Sequence, residues 1–259
     1  MSYAVITGAS GGIGQSVALE LAQKGYSLIL IARNEKALQE LAAKTQKISG
    51  KNSHYLVADL SLPDSAKKVF EFSLSHTRDI SILVNNAGYG LWGPFDTLTL
   101  EEQLNMMQLN MNCMVQLCHL FFPMMKQQSR SYILNVASTA AYQAVPQMSV
   151  YAASKSFVVF FSRGLRYEMR KTPVSVTVVS PGPTSTGFMN RAGMKEDWLV
   201  ERSERFSMTA DQVAKLAVKA MFKRKAEIVP GFLNALAAVL TSFAPKILAE
   251  KIAAGLYEK

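Results

Sequence analysis

Apolar residues cluster in short runs of strand length at Tyr3–Thr7, Ser27–Ile31, Tyr55–Ala58, Ile80–Asn85, Tyr132–Ala137, Val174–Ser180 and Glu227–Val229. Between the first six runs the period lengthens to that of a helix, most clearly in Ile13–Lys24, Glu35–Lys47, Pro63–Ser75, Leu100–Gln127 and Ala152–Lys171. Strands that are apolar on both faces and alternate with helices predict a parallel sheet covered on two sides. The expectation is an α/β fold, a doubly wound seven-stranded parallel sheet whose ligand sits beyond the carboxyl ends of the strands. No linker, repeat or low-complexity tract divides residues 1–259, so a single domain is expected. One segment, about 182–207, lacks a strand pattern and carries Phe188, Met189, Met194 and Trp198, an apolar set suited to closing over a substrate. A Leu/Ala-rich helical tail follows at about 232–259.

Two motifs give this frame its chemistry. The first strand runs into Thr7-Gly8-Ala9-Ser10-Gly11-Gly12-Ile13-Gly14 and then a helical segment. Glycines 8, 12 and 14 permit a tight turn and close backbone approach, and a helix N-terminus offers free N–H groups to a pyrophosphate. Strand, glycines and helix in this order mark a dinucleotide-binding Rossmann arrangement, although the spacing is G-x-x-x-G-x-G. The second strand ends in Ile31-Ala32-Arg33-Asn34, with no carboxylate at its tip to hold ribose hydroxyls. Arg33 can fork onto a 2′-phosphate with Lys36 a turn away, which favours NADP(H) over NAD(H), while pairing with Glu35 is the alternative. The second motif is Ser138, Tyr151 and Lys155. Four helical residues rise about 6 Å and return to one face, so the phenol and the ammonium point into one cleft. A phenol with a reference pKa of about 10 needs such a cation to work near neutrality, and Ser138 can hydrogen-bond the oxygen whose proton moves.

With Asp59-Leu60 after the third strand, Asn85-Asn86-Ala87-Gly88 after the fourth, Asn110 in the long helix and Pro181-Gly182 after the sixth, the chain resembles the short-chain dehydrogenase/reductase family over nearly its whole length. The resemblance implies NAD(P)(H)-dependent interconversion of an alcohol and a carbonyl, with Asn110, Ser138, Tyr151 and Lys155 as the catalytic set. It implies a cofactor set of Thr7, Gly8, Ser10, Gly11, Gly12, Ile13, Gly14, Arg33, Asp59, Leu60, Asn86, Ala87, Gly88, Tyr151, Lys155, Pro181, Gly182, Thr184 and Thr186. Within it Lys155 holds the nicotinamide ribose, Asp59 and Leu60 border the adenine, and Asn86, Ala87 and Gly88 lie along the adenosine side. Asn110 would anchor a water passing protons from Lys155 to solvent, unless it is a helix-packing amide. Thr184 stands where the family more often has an aliphatic residue, which leaves the Thr184/Thr186 assignment open. Asp59 can also begin a turn, since Ser61-x-x-Asp64 reads as a capping box for the next helix. Substrate contact is expected from Ser138, Tyr142, Tyr151 and Phe188, flanked by Tyr89, Leu91, Trp92 and Met148. That apolar and aromatic set suits a ketone, aldehyde or secondary alcohol of steroid-like or acyl-chain character.

Composition narrows the alternatives. Hydrophobic residues at 49% and charged residues at 18% describe a globular protein. Cys113 and Cys118, five apart in an apolar helix, read as buried thiols and not as a disulfide framework, and no metal site is expected. The net charge of +9 is dispersed and accompanied by no recognition motif, so no nucleic-acid partner is expected. Some of that charge lies in Lys215–Lys225, and with apolar Phe232–Ala244 it allows weak membrane association through the C-terminal tail, too short to span a bilayer. Tyr3–Thr7 runs directly into the glycine turn without a leader pattern, and the expected location is cytoplasmic. Methionines 106, 107, 111, 114, 124 and 125 mark core or subunit interface, and the resemblance pairs the helices from about 100 and 152 across a homodimer or homotetramer. Against the leading reading of an NADP(H)-dependent oxidoreductase stand an NADP(H)-binding redox sensor or scaffold without turnover and a peripheral membrane reductase of lipidic substrates.

Overall fold

The computed structural model describes residues 2–194, 196, 198 and 207–257. Seven strands form one parallel sheet in the order β3-β2-β1-β4-β5-β6-β9, comprising β1 (Tyr3–Thr7), β2 (Ser27–Ala32), β3 (Ser53–Val57), β4 (Ile80–Asn85), β5 (Ser131–Val136), β6 (Val174–Val179) and β9 (Glu227–Ile228). The chain moves outward from β1 to β3, then crosses to β4 on the other side of β1, and this reversal opens a crevice at the carboxyl edge. The doubly wound sheet expected from the apolar runs is therefore present.

Alternation along each strand divides the core in two. Tyr3, Val5, Ile29 and Ile31 face α3 (Ser65–His76), α5 (Met114–Met125) and α6 (Ser149–Glu168), while Ala4, Ile6, Leu28 and Leu30 face α1 (Gly12–Gln23), α2 (Glu35–Ser49) and α8 (Ala210–Phe222). Because side chains on a strand point alternately to the two faces, both sets can be apolar only where helices cover both. Among the methionines of the long helical stretch, Met106, Met114 and Met125 are buried. Cys113 and Cys118 are free thiols in the core, where burial pushes them up to about 11 and about 12.

Three local expectations are corrected. The helix expected over Leu100–Gln127 is α4 (Leu100–Met107), a π-helical turn Gln108–Cys113 and α5. A π turn widens the helix by one residue per turn and is common at functional sites. Here it carries Asn110. The capping box read into Ser61-x-x-Asp64 does not form. Asp64, at a left-handed φ of 58°, precedes α3 without a side-chain cap, because the Ser61 hydroxyl donates instead to Asp59 Oδ1 at 2.7 Å. The segment from about 182 is also not strandless: β7 (Thr184–Ser185) pairs with β8 (Met208–Thr209), stapling its two ends together, with α7 (Phe188–Ala192) between them. Part of that segment, 195, 197 and 199–206, lies outside the described residues. The tail forms α9 (Phe232–Phe243) and α10 (Lys246–Tyr257), broken at Ala244-Pro245, since the residue before a proline disfavours the helical region.

Candidate active site

At the carboxyl edge of the sheet the loops after β1, β2, β3, β4, β5 and β6 surround one cleft of about 960 Å³. On its β1 side the helix N-terminus of α1 has Gly11 as N-cap and no side-chain cap, so its first N–H groups face the cleft without a hydroxyl or carboxylate competing for them. The glycines fit this role for separate reasons. Gly8 and Gly12 adopt left-handed φ values of 66° and 56°. A Cβ on Gly14 would stand 2.3 Å from the Gly8 carbonyl oxygen and 2.4 Å from Asn86 Nδ2, closer than van der Waals contact allows. Gly14 therefore lets α1 approach the β4 loop and does not itself line the cleft. Thr7 does not line it either. Its hydroxyl donates to Val84 O at 3.2 Å and accepts from the N–H groups of Asn86 and Ala87, each at 3.0 Å, pinning the ends of β1 and β4 together.

The remaining expected cofactor residues line the cleft, from Gly8 and Ser10 through Arg33, Asp59 and Asn86 to Pro181, Thr184 and Thr186. Arg33 pairs across the cleft wall with Asp59 at 3.6 Å, not with Glu35, and its side chain is 70% exposed. Burial works to raise the Asp59 carboxyl, but the hydroxyl and N–H of Ser61 and the Arg33 guanidinium outweigh it and hold the group below its ordinary value. Asp59 lines the cleft and also closes a turn by accepting from Ser61 N at 2.9 Å. This donor set suits a dinucleotide: uncapped N–H groups at the start of α1, a guanidinium just after β2, and glycines where a backbone must come close.

The Ser138, Tyr151 and Lys155 triplet is assembled from two elements. Pairing of β5 with β6 continues past the strands through Ala137 N to Val179 O at 2.7 Å and Thr139 N to Pro181 O at 2.9 Å, which fixes Ser138 beside Pro181. Its hydroxyl oxygen accepts from Ala140 N at 3.1 Å and starts the 3-10 turn Thr139–Tyr142. Tyr151 and Lys155 sit one turn apart on α6, both buried. Lys155 Nζ donates to Val136 O at 3.0 Å and lies 5.8 Å from the Tyr151 ring centroid. Burial lowers Lys155 to about 8. Ser138, Tyr151 and Lys155 all reach the same cleft.

Asn110 stands behind this layer. Its Nδ2 donates to Tyr89 O at 2.9 Å and to Ser154 Oγ at 3.1 Å, and its Oδ1 accepts from Tyr89 N at 3.2 Å. Both amide hydrogens are thereby taken in bonds that pack α6 against the loop after β4. They hold the Gly88–Tyr89 backbone against α6. A Cβ on Gly88 would stand 2.8 Å from Asn110 Oδ1 and 3.4 Å from Lys155 Nζ.

On the substrate side Phe188 lies across Tyr151 with ring centroids 5.5 Å apart. Met148, Met189, Met194 and Leu109 complete an apolar wall. Trp198 is half-buried and is not among the described residues lining the cleft, and neither is Trp92. Tyr142, expected at the substrate, does not line the cleft: its phenol hydrogen-bonds the Glu227 carboxylate and Ser180 Oγ, with Arg163 on the far side of Glu227 at 2.6 Å, so it braces the 3-10 turn. Burial and the Glu227 bond push its hydroxyl well above the usual phenol value.

Among the residues at or beside the cleft that the sequence reading did not name, Gly90, Arg191 and Asn234 shape it most directly. Gly90 lies where Phe188, Met148 and Tyr151 converge, and its Cβ would stand 2.7 Å from Phe188 Cζ. Arg191 on α7 lines the cleft without any local motif to mark it. Asn234 reaches the cleft from the tail helix α9 and covers Gly182, whose Cβ would stand 2.5 Å from its Nδ2. A signal for it existed, since Asn234 is the lone amide in the apolar stretch Phe232–Phe243.

A dinucleotide crevice at the switch point of a parallel sheet, with a phenol, an ammonium and a hydroxyl at one end, defines the class of protein. Residues 2–198 match the short chain dehydrogenase family, and the chain belongs to it. It is 35% identical over 210 residues to the zebrafish (Danio rerio) 17-beta-hydroxysteroid dehydrogenase type 3, covering 79% of this chain and 67% of that one. It is 33% identical over 183 residues to the zebrafish very-long-chain 3-oxoacyl-CoA reductase-A, covering 69% of this chain but only 57% of the relative's length. A solved short-chain dehydrogenase from Sphingobium yanoikuyae, in complex with NADPH, is similar at a TM-score of 0.81 and 29% identity over 95% of this chain and 97% of that one. The protein is thus an oxidoreductase of this family.

Proposed function

We propose that the protein interconverts a ketone or aldehyde and the corresponding alcohol on a hydrophobic small molecule, using NADP(H) in preference to NAD(H). One observation carries the reading: Ser138, Tyr151 and Lys155 face the same cleft that the glycine turn and Arg33 enter from its other end. The nicotinamide, when bound, supplies or accepts the hydride. Tyr151 gives its phenolic proton to the oxygen that develops negative charge on the reduced carbonyl, and Ser138 donates a hydrogen bond to the same oxygen. Lys155 favours the ionised phenol left behind. With its own value near 8, Lys155 lies close enough to neutrality to pass a proton to that phenolate and regain one from solvent. Asn110 acts on Lys155 at one remove, by holding the Gly88 backbone in place beside it.

NADP(H) is supported by Arg33 at the end of β2, by the absence of an acidic residue there, and by the NADPH carried by the Sphingobium relative. A hydrophobic substrate is supported by the wall of Phe188, Met189 and Met194 and by the steroid and acyl-chain names of the two zebrafish relatives. Pairing of two copies along the long helices is supported by exposed Leu104 at 52% and Phe160 at 75%.

The test is Tyr151→Phe, assayed at the nicotinamide absorbance with a panel of ketones, aldehydes and alcohols. General acid catalysis is worth about 10²–10⁴-fold. Turnover is expected to fall by that much while NADPH still binds. Undiminished turnover with cofactor bound removes Tyr151 from the chemistry, and binding with no turnover of any substrate by the unaltered protein favours the sensor or scaffold.

A further inference from the structure

Helix α9 presents a surface that the reading above does not use. Phe232, Leu233, Leu236, Val239, Leu240 and Phe243 are 81%, 64%, 44%, 54%, 59% and 85% exposed. At 100° per residue they span an arc of about 120° on one side of the helix. The opposite side faces the body of the protein through Ala238, which is buried, and Asn234, which lines the cleft over Gly182. The helix also rests on the 3-10 turn that Ser138 initiates. From Phe232 to Phe243 no residue carries a charge. An apolar stripe of this extent is the kind of surface that marks a partner or a membrane.

We infer that the outer face of α9 seats in the surface of an anionic lipid bilayer and places the cleft mouth at the membrane for substrates dissolved in it. The charge balance selects this occupant. A chain of net charge +9 is drawn to an anionic surface, and part of that charge lies in Lys215–Lys225, just ahead of the uncharged α9. Phenylalanines at both ends of the helix suit insertion into the boundary between headgroups and acyl chains. Among the described residues no helix is long and apolar enough to cross a membrane, so the attachment is interfacial. The geometry joins surface to site: Asn234, on the inner side of the same helix, covers Gly182 at the cleft wall. The docking claim stands on α9 alone, while delivery of substrate into the cleft rests on the proposed oxidoreductase reading.

The experiment is co-sedimentation of the full chain with phosphatidylcholine vesicles, with and without about one-third phosphatidylglycerol, a content at which added basic charge counts. The unaltered protein is compared with Leu240→Asn/Phe243→Asn, which leaves the net charge unchanged. Binding to the anionic vesicles is expected, with at least a tenfold loss in the variant, and NADPH titration of the variant confirms an intact fold. Equal sedimentation of the two proteins, or no sedimentation of either, overturns the proposal. So does a unaltered protein that self-associates without binding vesicles and becomes smaller in the variant, because that face is then a subunit interface. A second arm follows turnover of a long-chain methyl ketone dissolved in the vesicles and of a short water-soluble methyl ketone. Selective loss of the first in the variant supports delivery, and equal turnover of both by both proteins refutes it. Vesicle binding with no turnover of either ketone by any protein leaves docking intact and counts against delivery and the oxidoreductase reading.

Discussion

The two ends of the cleft are built on different principles. At the cofactor end, positions are set by backbone: Gly8 and Gly12 at left-handed φ, Gly14 within 2.3 Å of a carbonyl oxygen if it carried a Cβ, and Thr7 and Asn86 hydrogen-bonded to main chain. At the substrate end, the walls are side chains, the flexible thioethers of Met148, Met189 and Met194 together with Phe188, of which Met148 and Phe188 close on Gly90. Backbone approach tolerates no substitution, because neither partner can swing aside. A thioether wall can adjust its shape. One end is therefore rigidly specified for a ligand of fixed geometry, and the other is adaptable.

The sharpest break of that contrast is inside the glycine turn. Gly14→Ala forces a methyl group against Gly8 O and Asn86 Nδ2, whereas Gly11→Ala meets nothing within 4 Å. Overpacking of this kind costs about 3 kcal/mol, or roughly 6–12 °C in Tm for a chain of this size. Gly14→Ala is expected to show that loss together with weakened NADPH binding, and Gly11→Ala to melt within about 2 °C of the unaltered protein. Thermal melting with and without NADPH checks both. Equal melting of the two variants contradicts the close approach of α1.

Lys155 sits where the two ends meet, and pH reads it in two opposite ways. Burial lowers it from 10.5 to about 8, so above that pH the folded cofactor-free protein has lost a proton that the unfolded chain keeps up to 10.5. Stability rises with pH wherever the unfolded state binds more protons. Relief of the buried charge should therefore stabilise the cofactor-free protein as pH goes from about 8 to 10.5. Over the same interval kcat/KM for carbonyl reduction should fall about tenfold per pH unit as the charged form is lost. Lys155→Met, whose turnover is already low, removes the stabilisation, and the difference between the two proteins isolates this group from other titrating residues. A reduction profile that stays flat through pH 9 excludes Lys155 as a proton carrier.

A smaller effect separates the cofactors. Arg33→Ala is expected to weaken NADPH roughly tenfold, the low end for hydrogen bonds to a charged group, because the guanidinium is 70% exposed and shared with Asp59. NADH affinity should stay the same. Isothermal titration with both cofactors decides it, and an unchanged NADPH preference removes the phosphate role.

What the sequence made legible follows the same division. Strand positions, the glycine turn and the Ser138/Tyr151/Lys155 spacing could be read because backbone sterics and apolar periodicity restrict which residues are allowed. The π turn at Gln108–Cys113 was not readable, since it spans only six residues with α-helix on both sides. The Tyr142–Glu227 pairing was not readable, because Glu227 lies 85 positions away on the edge strand and local sequence holds no trace of it. Thr7 and Gly14, expected in the cofactor set, contact the backbone that borders the cleft, a tertiary role that local sequence does not mark. Asn234 was missed because the path of a tail helix after β9 is set by tertiary contact, not by pattern.

The smallest expected effect tests the adaptable end directly. Met194 is buried at 5% and joins Tyr151 and Ala192 in one apolar cluster. Met194→Leu nearly conserves volume, so the stability loss should stay under about 1.5 kcal/mol, and a wall of flexible side chains can repack around it. NADPH affinity should not move, because no backbone at the cofactor end depends on this side chain. Ketones of different bulk should respond in KM by about two- to threefold each and in different directions, since a stiffer, branched side chain favours some shapes and rejects others, and one methylene in an apolar pocket is worth only about 1–3 kcal/mol. A uniform change in kcat across the panel would mean instead that Met194 positions Tyr151, and that the substrate end is as rigidly specified as the glycine turn.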